Sequence, residues 1–144
     1  MRNIIKHAIR VLEEQAKYHD VYATNVNDVK HYLRLRLASY EHEVFAVMFL
    51  TNQHQLIQYE EVFRGTIDSA SVHPREIAKL ALHYNAAAVV LAHNHPSEFV
   101  QPSESDKNIT NKIIDSLKLI ETRVLDHFIV SKTSAYSFAE QGLL

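Results

Sequence analysis

Ala86-Ala87-Ala88-Val89-Val90-Leu91-Ala92-His93-Asn94-His95-Pro96 is the stretch whose reading decides the fold. Its first seven residues form a nearly unbroken apolar run bounded by polar ones, the pattern of a short strand buried on both faces. The alanines are small enough for a helix to pack close to that strand. The run ends in two histidines separated by one residue. In extended backbone such side chains point to the same side, so His93 and His95 can aim both imidazoles at one point, as two ligands of a single metal must. After Pro96 come six residues and then Ser103-Glu104-Ser105-Asp106. Asp106 falls in the first turn of a predicted helix and can supply an oxygen. Two nitrogens and one carboxylate leave a fourth position for water, the arrangement of a catalytic rather than a structural zinc site.

Ser103 carries a second reading. Ser103-x-x-Asp106 has the form of a capping box, in which the serine caps a helix and the acid three residues on reaches back. Taken alone, the motif reads as a cap. The two readings are compatible, because a pinned helix start can hold Asp106 facing the histidines. Pro96 and Pro102 stiffen the loop between, and Ile109, Ile113, Leu117 and Ile120 carry the helix onward.

Upstream of the apolar run, Pro74 suits a first helical position with His73 just outside it. Ile77, Leu80, Ala81 and Tyr84 then form a helical stripe ending near Asn85. With this helix and an earlier strand, the run fits a β-α-β unit, and α/β proteins place sites just past strand ends. His73 reads more readily as structural than as a substrate contact, and Arg75 and Glu76 as ordinary helix-start residues. Glu43 to Leu50 and Leu56 to Phe63 flank the turn-like Thr51-Asn52-Gln53, which predicts a hairpin. Gly65 marks a break before Thr66 to Ser71. Glu43, a carboxylate at the mouth of a largely apolar strand, reads either as a solvated residue or as a general base held near the metal, with Glu41 as its rival. Arg123 to Ser131 predicts a further strand, Lys132-Thr133-Ser134 a turn, and Tyr136 and Phe138 apolar positions in a returning segment. Asp126 and His127 are adjacent and so face opposite sides of a strand, which favours a supporting role for one of them over a shared metal or triad role.

From residue 2 to about 18, Ile5, Ala8, Ile9, Leu12 and Ala16 lie along one helical face with Glu13, Glu14 and Lys17 opposite. Such a helix packs on the domain or on a second copy, so a homodimer is compatible with it. Tyr18-His19-Asp20 breaks the pattern, and a short linker or edge strand follows. Asn25 to Leu37 reads as a second helix, with Thr24, Asn25 or Asn27 as its cap and Val29, Leu33 and Leu37 on its apolar face. Lys30, Arg34 and Arg36 on this helix read as a solvated face more readily than as a nucleic-acid surface.

Composition sets outer bounds. A chain of 144 residues with 47% hydrophobic and 22% charged residues is long enough for one globular domain with a sizeable core. The absence of cysteine excludes disulfides and thiolate zinc. No apolar run approaches the roughly 20 residues of a membrane span, and the N-terminus lacks a signal-peptide core, so the expected compartment is the cytoplasm without membrane association. A formal charge of −2 disfavours a dedicated nucleic-acid binder, because phosphate contacts need clustered Lys and Arg. Of ten histidines, only His93 and His95 have the spacing of a shared ligand site.

The series His93-Asn94-His95-Pro96, six residues, Ser103, two residues, Asp106 resembles the JAMM motif of JAB/MPN-type metallohydrolases, and more closely that of their bacterial RadC-like branch. Glu43-Val44-Phe45, Phe63-Arg64-Gly65-Thr66, Val72-His73-Pro74-Arg75-Glu76 and Leu125-Asp126-His127 extend the resemblance, which runs from about residue 24 to the C-terminus. It implies a JAB/MPN-type domain over 24–144 after an N-terminal helix and linker over 1–23. It also implies an α/β fold with a mixed sheet flanked by helices, cytidine-deaminase-like in architecture, and one zinc ion per chain. The family's metal ligands fall on His93, His95 and Asp106, its motif serine on Ser103 and its upstream glutamate on Glu43 rather than Glu41. The activity implied is hydrolysis of an amide bond, in a peptide or isopeptide, with Glu43 as base and Ser103 as oxyanion donor. The alternative is a DNA-repair or mobile-element accessory protein that binds nucleic acid or a protein, with zinc mainly structural. Two features depart from the family. Glu98 stands where RadC-like proteins usually have a glycine after Pro-Ser, which predicts an altered loop beside the metal. The residues before about 24 are too few for the helix-hairpin-helix module of longer RadC proteins, which weakens a DNA role.

Overall fold

The computed structural model describes residues 2–19, 22–67 and 71–144, with side chains left out of the description over 13–19. Helix α1 (Arg2–His19) and helix α2 (Val26–Leu37) precede a hairpin of β1 (Val44–Leu50) and β2 (Leu56–Arg64). Helix α3 (Pro74–His83), strand β3 (Ala88–Asn94), helix α4 (Glu104–Lys118) and strands β4 (Arg123–Val130) and β5 (Ala135–Ser137) follow. The sheet order is β2-β1-β3-β4-β5. β3 and β4 run parallel, while β1 pairs antiparallel with both β2 and β3, and β4 with β5. This is the expected mixed sheet flanked by helices.

The expected β-α-β unit is present in a split form. β2 and β3 are parallel through α3, but β1 lies between them. The adjacent unit is β3-α4-β4. Both crossover helices end in the same lock. Asn85 and Glu121 take positive φ of 54° and 58°, and the next residues, Ala86 and Thr122, return their N–H groups to Ala81 and Leu117. This lock satisfies carbonyls that a helix end otherwise leaves bare, and it turns the chain directly into β3 and β4.

β1 and β3 are buried over their whole lengths, because helices cover both faces of the sheet. On one face Val29, Leu33 and Leu37 of α2 pack on Val44, Ala46 and Met48 of β1 and on Val90 and Ala92 of β3. On the other, Ile77 and Ala81 of α3 and Ile109, Ile113 and Leu117 of α4 pack on Phe45, Val47, Phe49, Val89 and Leu91. Alternation along each strand therefore sends odd-numbered β3 residues, His93 among them, toward α4, and even-numbered ones, Asn94 among them, toward α2.

Asn25 is the cap of α2, its side chain accepting from the N–H groups of Asn27 and Asp28. Helix α1 continues to His19, past the expected end, and Asp20 lies outside the described residues. Ile5, Ala8, Ile9 and Leu12 are half-buried, as the helical stripe requires. Glu13, Glu14, Ala16 and Lys17 fall where side chains are not described, and residues 68–70 of the break after Gly65 lie outside the described residues. Tyr22 makes an isolated antiparallel bridge to Gln55, the edge-type segment expected there. The basic residues of α2 are engaged within the chain. Lys30 pairs with Glu140 at 2.6 Å, Arg34 donates to the Lys132 carbonyl at 2.6 Å, and the Arg36 guanidinium lies 4.2 Å from the Tyr59 ring centroid. Among the described residues, no helix is long and apolar enough to cross a membrane.

Candidate metal centre

The site forms where β3 ends beside the start of α4. His93 is still in the strand and fully buried, whereas His95 lies one residue beyond it and is half-buried, with its N–H donating to the Val130 carbonyl. The extended path through Asn94 therefore points both rings to the α4 side, as the i, i+2 spacing demands. Across the gap, Ser103 caps α4. Its hydroxyl oxygen accepts from the Asp106 N–H at 3.1 Å, while Asp106 Oδ2 accepts from the Ser103 N–H at 2.8 Å. Both readings of Ser103-x-x-Asp106 thus hold together. The capping box fixes the carboxylate, and the fixed carboxylate meets the histidines, with His93 Nε2 3.3 Å from Oδ1 and His95 Nε2 3.4 Å from Oδ2.

The two Nε2 atoms are 3.1 Å apart. His93, His95 and Asp106 form a group able to hold a metal ion, with their ligand atoms all within 4.8 Å of one another. The separations fit a small tetrahedral cation. Arms of about 2.0–2.1 Å to nitrogen and oxygen give tetrahedron edges of about 3.3–3.4 Å, near the 3.1 Å between the two Nε2 atoms, while each imidazole meets a different oxygen of Asp106. Charge is distributed to match. Burial alone would raise the Asp106 pKa, but hydrogen bonds from His93 and His95 outweigh it and hold the carboxyl well below the usual range. His95 is shifted up by its bond to Asp106, against the opposing effect of burial, with smaller contributions from the Phe99 carbonyl and the Glu43 charge.

Each ring is oriented from behind. His95 Nδ1 donates to the Phe99 carbonyl at 2.9 Å, within the proline-flanked loop. His93 Nδ1 lies 2.8 Å from His127 Nε2, and the Phe45 ring stacks on His93 with only 10° between planes. Of the Asp126-His127 pair, His127 therefore supports the site, as one-sided strand geometry predicts. Burial drives its pKa well below the ordinary histidine value. Asp126 turns to the C-terminal segment, accepting from the Ser137 hydroxyl at 2.6 Å and the Ala139 N–H at 3.0 Å. His73 sits at the N-cap of α3 with its ring edge-on to Phe63, a structural placement.

Glu43 precedes β1. The β1–β3 register pairs Phe45 with His93, and extending it two steps sets Glu43 opposite His95. Its Oε2 accepts from the Ile67 N–H at 2.7 Å, and its carbonyl accepts from the Gly65 N–H at 3.0 Å. Gly65 has φ +96°, a conformation that favours glycine. Glu43 is half-buried and Glu41 exposed. Beside them, β2 carries an extra residue, Val62, opposite Phe45 and Ala46; bulges of this kind recur at sheet ends near sites.

Asn94 was not singled out by its sequence, where it is merely the spacer between two histidines. Facing α2 and 1% exposed, it accepts from the Val44 N–H at 2.7 Å and donates to the His42 carbonyl at 2.9 Å and the Tyr40 carbonyl at 3.4 Å. Its amide continues the β1–β3 ladder where the backbone ladder stops and so fixes the segment that carries Glu43. Glu98 itself keeps φ out of the positive region that favours glycine. Among the described non-glycine residues, positive φ occurs only at His54, Asn85 and Glu121, so the loop path needs no glycine at 98.

Comparison with known proteins places the chain in a family. A family model described as RadC-like JAB domain matches residues 23–143. A UPF0758 protein of Vibrio cholerae is 51% identical over 141 residues, covering 98% of this chain and 88% of the relative. The UPF0758 protein YkfG of Escherichia coli strain K12 is 48% identical over 143 residues, covering 99% of this chain and 90% of its own. A longer UPF0758 protein of Methylibium petroleiphilum is 57% identical over 116 residues, which cover 81% of this chain and 52% of the relative.

Proposed function

Since this chain belongs to the RadC-like JAB domain family, we propose that it is a zinc-dependent hydrolase that cleaves an amide bond in a peptide or isopeptide substrate. The observation that carries the proposal is the grouping of His93, His95 and Asp106, whose ligand atoms all lie within 4.8 Å of one another, with the charge of Glu43 acting on His95. The donor set of two imidazoles and one carboxylate, without cysteine, suits catalytic zinc. Zinc held there supplies Lewis acidity, which lowers the pKa of water and polarises a carbonyl oxygen.

The remaining work falls to the chain. Glu43 takes the proton of the attacking water and delivers it to the leaving amine. One of its oxygens is fixed by the Ile67 N–H, which limits rotation of the carboxylate. The Ser103 hydroxyl oxygen is already held by the Asp106 N–H, and its own hydrogen serves as the donor to the developing oxyanion. The alternative of a nucleic-acid accessory protein with structural zinc draws less support, because Lys30, Arg34 and Arg36 are each engaged within the chain.

The test is Glu43→Gln assayed beside the parent on a panel of peptides and isopeptide-linked conjugates. The variant is expected to keep its zinc and lose turnover by about 100-fold or more, the usual contribution of a general base. Full activity in the variant removes Glu43 from the mechanism.

A further inference from the structure

We infer that Thr110 and His127 form a relay that sets the tautomer of His93, making Thr110 a positioning residue for the metal site two hydrogen bonds away. The inference rests on the reading of His93 as a metal ligand.

The direction of each bond follows from its far end. Thr110 Oγ1 lies 2.7 Å from the Asp106 carbonyl oxygen and 2.6 Å from His127 Nδ1. A carbonyl oxygen only accepts, so the single hydroxyl hydrogen of Thr110 goes to Asp106. Thr110 Oγ1 must then accept from His127, which places a hydrogen on His127 Nδ1. The neutral His127 ring has only one N–H, which leaves Nε2 bare. That bare nitrogen sits 2.8 Å from His93 Nδ1, a distance that requires a hydrogen between them, and only His93 can supply it. With a hydrogen held on Nδ1, His93 directs Nε2 at Asp106 and His95, so Nε2 is the nitrogen left to meet a metal. All the members are buried. His93 and His127 are 0% exposed and Thr110 1%, so water does not compete for these bonds. The His127 ring is further held by stacking on Phe138, with centroids 4.5 Å apart, and by Phe45 edge-on at 5.5 Å.

The relay also ties the ligands to each other. Thr110 bonds the backbone of Asp106, one helical turn earlier, so the strand that presents His93 and the helix that presents Asp106 are connected through β4. His95 has no such connection; its Nδ1 partner is a loop carbonyl. The two imidazoles therefore reach the same Nε2-directed state by different means, one through a buried three-residue chain and the other through an exposed loop. Outer hydrogen bonds of this kind typically contribute 10–100-fold to metal affinity.

The experiment uses the full chain with ring-¹⁵N histidine. Long-range ¹H–¹⁵N spectra of the metal-free protein report the tautomers of His93 and His127 directly, and a chelator competition with zinc alone reports affinity. A hydrogen on Nδ1 of both rings, and none on His127 Nε2, is expected in the parent chain. Thr110→Val, similar in shape but without an acceptor, is expected to lose the single His127 tautomer and to weaken zinc binding by about 10-fold or more. Thr110→Ser, which restores the hydroxyl, is expected to recover both. A His93 ring without a hydrogen on Nδ1 in the metal-free parent overturns the relay, as does a Thr110→Val affinity within about twofold of the parent. A parent that binds no zinc but shows both Nδ1–H tautomers sinks the metal reading and leaves the relay standing. The tautomer spectra of the parent need no variant, so a Thr110→Val chain that fails to fold does not remove the test.

Discussion

Replacing Asn94 with alanine should destabilise the fold well beyond what a residue with no apolar side chain suggests. The side chain is almost fully buried and makes three hydrogen bonds to the backbone of residues 40–44. Alanine leaves the N–H of Val44, itself fully buried, without an acceptor, at a cost of about 1–3 kcal/mol. The two bonds to the Tyr40 and His42 carbonyls contribute about 0.5–1.5 kcal/mol each when the donor is lost. A total near 3 kcal/mol, with a denaturant slope of about 2 kcal/mol/M, lowers the urea midpoint by about 1.5 M. In thermal melts the same loss corresponds to about 6–12 °C. Asn94→Asp separates the two ends of the amide. It keeps an acceptor for Val44 but sets a carboxylate against two carbonyl oxygens, and it should be at least as damaging. A urea midpoint for Asn94→Ala within about 0.3 M of the parent at unchanged slope would refute the claim that this side chain continues the β1–β3 ladder.

Further outcomes follow from the same geometry. In metal-free protein, the depressed Asp106 carboxyl contributes stability that is present above about pH 4 and lost as pH falls below it. The raised His95 contributes stability present below about pH 6.5 and lost as pH rises through its folded value. Urea midpoints of chelator-treated protein should therefore peak between these limits, and Asp106→Asn should flatten both flanks; an unchanged profile in the variant contradicts the pairing. Zinc affinity should run the other way, weakening as pH falls below about 7, because His95 must give up its proton to bind; competition titrations at several pH values check this. Gly65→Ala should cost about 1–2 kcal/mol through backbone conformation alone, because φ is +96° while the space around a Cβ is open; a chemical melt equal to the parent's would show that the turn relaxes.

Much of the architecture was legible because it is written in local periodicity. The apolar run before His93, the stripes of α3 and α4 and the Asn25 cap each depend on neighbours a few residues away. The metal group was legible for the same reason, since an i, i+2 pair and a capped helix start constrain their own directions. What escaped depends on which strands lie side by side. Asn94 matters only because β1 runs antiparallel beside β3, and Thr110 only because α4 packs its second turn against β4 at His127. The basic residues of α2 show the same limit. Their charges read as a solvated face, yet their partners are Glu140, the Lys132 carbonyl and a tyrosine ring, each distant in sequence.

The central claim is that His93, His95 and Asp106 hold one zinc ion. It is tested most directly by native mass spectrometry and elemental analysis of untagged protein, beside His95→Ala and Asp106→Asn. One zinc per parent chain is expected, with its loss from both variants while the fold is retained. A parent chain that takes up no zinc after reconstitution, or variants that hold it as tightly as the parent, would contradict it.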